Sequence, residues 1–204
     1  MVEYSFVGKT VMIPYTREGA EYCDHFCCGD SDLDEFFAHD VFLYEAELLS
    51  KAYCWISKDN PQEIIAIATL SFDGIKTHSL DNPSRNSLQR KIPYKKQHRS
   101  YPAVLIGRLG VNKNYQGNGF NIGSQLMDAL KFWFIDENNK AACRYMMVDA
   151  YNNDSTLHYY TKNGFKPLYK TEKAERESFG IPDNEPLKSR IYYYDLKFLA
   201  SSKI

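Results

Sequence analysis

The sequence predicts an α+β fold, a mixed and mostly antiparallel central sheet flanked by helices, in a single domain over residues 1–204. Three observations predict it. Two strand-like runs, Ala52 to Ser57 and Ile64 to Phe72, flank the turn Lys58-Asp59-Asn60-Pro61, which is the pattern of a hairpin. Strands joined by short turns dominate the first half, and helices suited to crossovers appear only in the second. An apolar run from Val104 to Val111 breaks into a Gly/Asn-rich loop from Asn112 to Asn121. A helical pattern then begins near Ile122, which implies a parallel region there.

Composition bounds the reading. With 44% hydrophobic and 15% aromatic residues and a net charge of −1, the chain is globular and is not a polycation. That weighs against nucleic-acid binding by the chain as a whole. The sixteen tyrosines favour strands and half-polar pockets. No basic segment followed by an apolar one marks a secretory leader, and no apolar run approaches the ~20 residues that span a bilayer. The five cysteines are an odd number and are expected as reduced thiols in a cytoplasmic protein.

In chain order, VMIPYT within residues 1–16 reads as a first strand. Cys23, His25, Cys27 and Cys28 crowd together, but no second cluster completes a closed zinc site, so no metal is expected. Ser31 is placed to cap a helix with Asp34 in its first turn. Leu33, Phe36, Phe37, Val41, Tyr44 and Leu48 then recur at helical spacing, an amphipathic helix of about four turns with its stripe in the core. The hairpin follows. A basic loop spans about 78–101: Arg85, Arg90, Lys91, Lys95, Lys96 and Arg99 have no acid among them, and Tyr94 and Tyr101 are interleaved. Its plain reading is solvated surface, and its sharper one a patch for a phosphate-bearing substrate.

Beyond the central loop, Ile122, Leu126, Leu130, Trp133 and Phe134 mark one buried helix face, ended by Glu137-Asn138-Asn139. Tyr145 to Tyr151 is a strand. Asn152, Asn153 and Asp154 turn into a short helix, about Ser155 to Lys162, closed by Asn163-Gly164. Phe165 to Tyr169 begins another strand. A charged stretch with two prolines, about 171–189, reads as a surface excursion, and Arg190 to Phe198 is the last strand.

Strand, glycine loop and helix together form the local architecture that holds phosphate. Loop amides and the first helical turn present free N–H donors, and the helix dipole adds positive charge. A P-loop requires Gly-Lys-Ser/Thr after its spacer, and no such string exists here. Gly117, Gly119 and Gly123 give G-x-G-x-x-x-G, one residue off the dinucleotide fingerprint, with no βαβ series after it. A third competing reading is acyl-coenzyme A.

Here the residues become specific. Gln116-Gly117-Asn118-Gly119-Phe120-Asn121 resembles the Gln/Arg-x-x-Gly-x-Gly/Ala loop of the GNAT-family N-acetyltransferases, with Asn121 at the last position. Ile122-Gly123-Ser124-Gln125-Leu126-Met127 matches the family's Gly-x-x-Leu-Leu segment two residues out of step, which implies an expanded loop. Tyr160-Thr161-Lys162-Asn163-Gly164-Phe165 matches its Tyr-x-x-x-Gly-Phe segment, in order and in the same setting. In layout, over roughly 20–196, the chain is most similar to the acetyltransferase toxins of toxin–antitoxin pairs. They share the Phe26-Cys27-Cys28-Gly29 stretch, the early amphipathic helix, and Tyr101-Pro102 before IGRLGV.

The resemblance implies a GNAT-like sheet, splayed in the middle to admit the cofactor, and direct transfer of acetyl from acetyl-CoA to a primary amine. Tyr160 would be the catalytic acid that protonates the departing thiolate. Leu109 and Val111 would pair with the pantetheine amides. Gln116, Gly117, Asn118, Gly119, Asn121, Gly123 and Ser124 would hold the pyrophosphate, and Asn153 is a further cofactor contact. No general base is assigned; Asp149 is as well explained as a structural acceptor. Covalent transfer through Cys143 is not expected, because no activating histidine stands near it in the sequence. Two other readings stand beside an ordinary acetyltransferase. One is a toxin acetylating aminoacyl-tRNA, reached through the basic loop 85–99, with a small antitoxin as partner; a second copy of the chain is a separate candidate partner under each reading. The other is an inactive coenzyme A-binding module, supported only by Asn121. No membrane association is expected.

Overall fold

A computed structural model of the chain describes residues 6–90, 92, 100–139 and 141–200. In order, the elements are α1 (Phe6–Lys9), β1 (Thr10–Pro14), α2 (Arg17–Tyr22), α3 (Ser31–Glu35), a π turn (Phe36–Asp40), α4 (Val41–Ala46), β2 (Lys51–Ser57), β3 (Ile64–Lys76), α5 (Asn82–Gln89), β4 (Ser100–Val111), α6 (Ile122–Phe134), β5 (Tyr145–Tyr151), α7 (Asp154–Lys162), β6 (Lys166–Pro167), α8 (Glu172–Phe179), β7 (Ser189–Asp195) and α9 (Lys197–Ala200). The strands form one sheet in the order β1-β2-β3-β4-β5-β7-β6. β1/β2, β2/β3, β5/β7 and β6/β7 are antiparallel. The expected mixed, mostly antiparallel sheet with flanking helices is therefore observed. The chain divides into two units, residues 1–71 with 106–133, and residues 72–105 with 134–204.

In the first unit the expected hairpin pairs Ala52 with Thr69 and Cys54 with Ile67. Its core gathers Phe26, Phe36, Phe37, Val41, Cys54, Ile64 and Ile67. The early helix differs from its sequence reading in two ways. Asp30, not Ser31, is the cap: its Oδ1 accepts the N–H groups of Asp32 (3.1 Å) and Leu33 (3.2 Å). The helix is also broken in pitch. The Val41 N–H reaches back five residues to the Phe36 carbonyl, forming the π turn. One extra residue in a turn rotates everything after it. Phe36, Phe37 and Val41 are buried as expected, but Tyr44 is exposed and Leu48 is 88% exposed, in a left-handed conformation (φ 57°) that ends the segment.

α6 begins at Ile122 as expected and buries Ile122, Leu126, Met127 and Leu130. It ends at Phe134, ahead of Glu137. Trp133 is only half-buried and meets the Tyr53 ring edge-on at 4.9 Å.

In the second unit β5 pairs along its length with β7, from Tyr145↔Asp195 to Tyr151↔Ser189. β6 is reduced to Lys166–Pro167, and β7 ends at Asp195 rather than Phe198. Two stretches read as loops contain helices. Asp81 caps α5 by accepting the Ser84 N–H (3.3 Å), with a proline in the first turn, so Arg85 is a helical residue. Lys91, Tyr94, Lys95, Lys96 and Arg99 lie outside the described residues. Within 171–189, Thr171 caps α8, and Gly180 closes it at φ 65°. Glu175 on α8 is 1% exposed; it accepts from Arg190 Nε (3.0 Å) and from the Ile191 N–H (2.6 Å). Burial raises its pKa against the opposing pull of those two donors and the Arg190 charge. The charges of this stretch therefore include one that ties α8 to β7.

Gly110 in β4 lies under the core rings. A Cβ there would sit 3.1 Å from both Phe26 and Phe37. Gly110→Ala is expected to lower stability by about 1–3 kcal/mol, as overpacking does, read as a shift in the chemical denaturation midpoint.

Candidate active site

The loop after β4 is fixed from below. Asn112 is buried. Its N–H donates to the Ile65 carbonyl (2.8 Å), its Nδ2 to the Ile64 carbonyl (3.0 Å), and its Oδ1 accepts the Asn114 N–H (3.1 Å). Gln116 Nε2 donates to the carbonyls of Cys28 (2.7 Å) and Val111 (2.6 Å), and its backbone N–H donates to Lys113 (3.2 Å). Gln116 thus braces the loop with the donors that sequence reading assigned to the ligand. Lys113 N–H donates to the Cys27 carbonyl (2.9 Å). The Cys27–Gly29 turn that receives these bonds is held by Asp34. Its carboxylate accepts the N–H groups of Cys28 (2.6 Å) and Gly29 (3.3 Å) and the Cys27 thiol (3.2 Å). Burial alone would raise the Asp34 pKa, but these donors outweigh it and hold the carboxyl below its ordinary value.

Above these braces the loop turns left-handed at every second residue: Gly117 (φ 66°), Gly119 (φ 81°) and Asn121 (φ 53°). Such alternation curls consecutive N–H groups toward one side, the geometry of an anion nest. Asn121 occupies a conformation that glycine or asparagine adopts readily, so its departure from the family pattern has a backbone explanation. The N–H groups of Gly117, Asn118 and Gly119 are exposed and donate no hydrogen bond among the described residues. Gly123 and Ser124 lie in the first turn of α6. The Ser124 N–H is taken by the Asn121 carbonyl (3.0 Å). Gln125 ties the loop down by donating to the Phe120 carbonyl (2.8 Å) and accepting the Phe6 N–H (2.7 Å). Residues 112–124 contain no acid and one lysine, Lys113. Free amides, left-handed turns and the absence of negative charge fit a pyrophosphate. On β4, Leu109 and Val111 are half-buried, and Val111 has its carbonyl engaged by Gln116.

In the second unit, Asn153 caps α7, its Oδ1 accepting the Thr156 N–H (2.9 Å). Tyr160, two turns on, is half-buried, 5.6 Å from the Phe165 ring and 5.2 Å from that of Tyr159. Burial pushes its phenol up to about 12. Gly164 adopts φ 81°, and a Cβ there would come 3.1 Å from Tyr194. Phe165 is buried between Tyr160 and Tyr194, 5.6 Å from each ring. The Tyr-x-x-x-Gly-Phe block is therefore a folded aromatic latch that seats Tyr160. Burial raises the Cys143 thiol to about 11, which keeps it a poor nucleophile. Asp149 is exposed on β5, opposite Ile191. Among the described residues, no group of three or more His, Cys, Asp or Glu side chains is arranged to hold a metal ion, and no helix is long and apolar enough to cross a membrane.

Two features went unweighed in the sequence. Asp34 was seen only as a first-turn charge; its bonds to Cys27, Cys28 and Gly29 depend on a turn that no periodicity signals. Arg108 stands alone as a charge inside the apolar run of β4, and that isolation was the available signal.

The profile of the family described as Acetyltransferase (GNAT) domain matches residues 50–167, which include both the loop and the Tyr160 block. The chain belongs to the GNAT acetyltransferase family, and it is an acetyl-CoA-dependent N-acetyltransferase. No match was found among curated protein sequences. Among solved structures, AtaT complexed with acetyl-methionyl-tRNAfMet is similar at TM-score 0.64 and 18% identity, covering 96% of this chain and 99% of that one. A Tyr→Phe variant of KacT is similar at 0.62 and 20%, covering 95% and 99%. An AtaT mutant toxin bound to the C-terminus of the antitoxin AtaR and acetyl-CoA is similar at 0.58 and 14%, covering 96% and 98%. At these identities the likeness is one of fold.

Asp34→Asn tests the brace. The wild-type carboxyl is held below its unfolded value of 3.8, so the stability it adds is present above that pH and is lost as pH falls through the lower folded value. The variant is expected to melt at a lower temperature than wild type at neutral pH, and to lose less than wild type as pH falls from about 4 to about 2.

Proposed function

We propose that the loop 116–124 holds the pyrophosphate of acetyl-CoA and that Tyr160 is the catalytic acid of transfer to a primary amine. The observation that carries this is the set of free N–H donors at Gly117, Asn118 and Gly119, on a loop curled left-handed before α6. Gly123, the Ser124 hydroxyl and the Asn121 backbone would complete the cradle. Gln116 would act by bracing it. Leu109 and Val111 would present backbone groups to pantetheine, and Asn153 would add its side-chain amide. When bound, acetyl-CoA supplies the acetyl group as a thioester. The amine attacks in its neutral form: the N–C bond forms, the C–S bond breaks, and the amine releases a proton to solvent. Tyr160 Oη gives its own proton to the departing sulfur and takes one back from solvent, so that the proton lost by the amine balances the one gained by the thiol. A phenol held to about 12 carries that proton throughout the neutral range. The free thiols support a reducing, cytoplasmic setting for a single acetyltransferase domain.

A second reading narrows the acceptor to aminoacyl-tRNA, with a small antitoxin and a second copy of the chain as partners. It is favoured by the run of basic residues in 85–99 and by the resemblance, along nearly the whole chain, to AtaT in complex with acetyl-methionyl-tRNA. Incubation with acetyl-CoA and charged tRNA decides it. Acetylated aminoacyl-tRNA with growth arrest on expression supports it; neither, alongside transfer to simple amines, rejects it.

Two variants separate the roles. Tyr160→Phe is expected to bind acetyl-CoA as wild type does by calorimetry while turnover falls about 10²–10⁴-fold. Gly119→Val places a β-branched residue at φ 81° and is expected to weaken acetyl-CoA binding instead. Unchanged turnover in Tyr160→Phe removes Tyr160 from the role.

A further inference from the structure

Arg108 lies in β4 with its backbone N–H on Thr69 Oγ1 (2.9 Å). Its guanidinium sits 5.0 Å from the centroid of the Phe36 ring, on the π turn. Nη1 donates to the Gly107 carbonyl (3.1 Å). Nε is buried and has no hydrogen-bond partner, and no carboxylate pairs with Arg108 among the described residues.

Among the described residues, other half-buried guanidiniums have an acid or several carbonyls to meet, although Arg144 Nε is likewise buried without a partner. Arg144 pairs with Asp195 (2.9 Å), and Arg190 with Glu175 (3.0 Å) and Glu172 (3.7 Å). Arg85 has no acid, yet it donates to Thr77 (2.9 Å), Leu80 (2.8 Å) and Asn82 (3.5 Å). Arg108 alone of these combines a buried unpaired donor with no acid. Leaving a buried charged donor unmade is costly, and such a group is open to a further acceptor. The ring beneath it fixes the guanidinium plane, which suits recognition of a two-oxygen anion.

Arg108 stands three strand residues before the end of β4, about 10 Å at the strand rise, and the free loop amides begin further on, at Gly117. We propose that Arg108 binds a carboxylate or phosphate carried by the acceptor, so that the substrate is an anion-bearing amine rather than a simple alkylamine. This rests on the reading of the protein as an amine acetyltransferase.

The test titrates acetate and inorganic phosphate separately into coenzyme A-saturated protein and follows the arginine ¹⁵Nε resonances, with Arg108→Lys assigning the Arg108 signal. A saturable shift at Arg108 is expected with one anion at lower concentration than the other, which names the acceptor's group. A shift no larger than that of exposed Arg90 with both anions overturns the proposal. Arg108→Met is expected to melt at the same or a higher temperature than wild type in the absence of anion, because it removes an unpaired buried charge. A lower melting temperature assigns Arg108 a structural role and counts against the proposal. On matched amines that the enzyme acetylates, glycylglycine against glycylglycinamide or phosphoethanolamine against ethanolamine, Arg108→Gln is expected to lower kcat/KM about tenfold or more for the charged member only. Equal losses on both members overturn it. The anion titration needs no turnover, so a failure of anion binding and a failure of acetyl transfer are separate results.

Discussion

One buried amide sets the geometry on which the candidate cofactor loop depends. Asn112 closes the end of β4 onto β3 through two bonds to consecutive carbonyls, Ile64 and Ile65, and uses its remaining oxygen to start the next turn. A buried asparagine left unsatisfied would cost more than its bonds return, so the side chain is committed to this arrangement. Gln116 repeats the device four residues later, reaching back to Val111 and across to Cys28. Between them the two amides leave the loop little freedom below. In its upper part, where glycines and Asn121 take left-handed turns, the N–H groups of Gly117, Asn118 and Gly119 donate no hydrogen bond among the described residues, while that of Phe120 is taken by Asn118 Oδ1 (3.1 Å).

Burial acts in one direction on the protonation of the interior. Thiols at Cys28, Cys54 and Cys143 and the phenol of Tyr160 are all pushed toward the neutral form, first by desolvation. A neutral thiol is a weak nucleophile and a neutral phenol a ready hydrogen-bond donor. The same physical cause therefore disfavours covalent transfer through cysteine and suits the proton-donating role proposed for Tyr160.

Much of this was legible in the sequence where the signal is local. The hairpin, β5, the start of α6 and the Asn153 cap follow from turn chemistry and periodicity within a few residues. Both motif blocks lie where the strand and helix patterns placed them. What sequence reading missed depends on tertiary partners. α5 and α8 are short and polar and hold their places through Arg85 and Glu175, so no apolar stripe announces them. Gln116 matched the family pattern and Asn121 departed from it, but only the structure shows that one braces and the other turns. Asp34 takes its meaning from a turn several residues upstream.

The π turn gives the segment from Ser31 to Ala46 a constraint on length as well as on composition. In a regular helix neighbouring residues diverge by 100°. Phe37 thus enters the core against Phe26 at 5.6 Å while Phe36 lies beneath Arg108, and the added residue sets where Val41 and Phe42 fall after them. Removing a single residue such as Ala38 would restore ordinary pitch and swing Val41 and all that follows by about 100°. Val41 in the core and Phe42 against Tyr15 could not then keep their places relative to the two rings ahead of the turn. In this stretch the chain is counting residues, and a deletion that leaves every named side chain intact would still separate them.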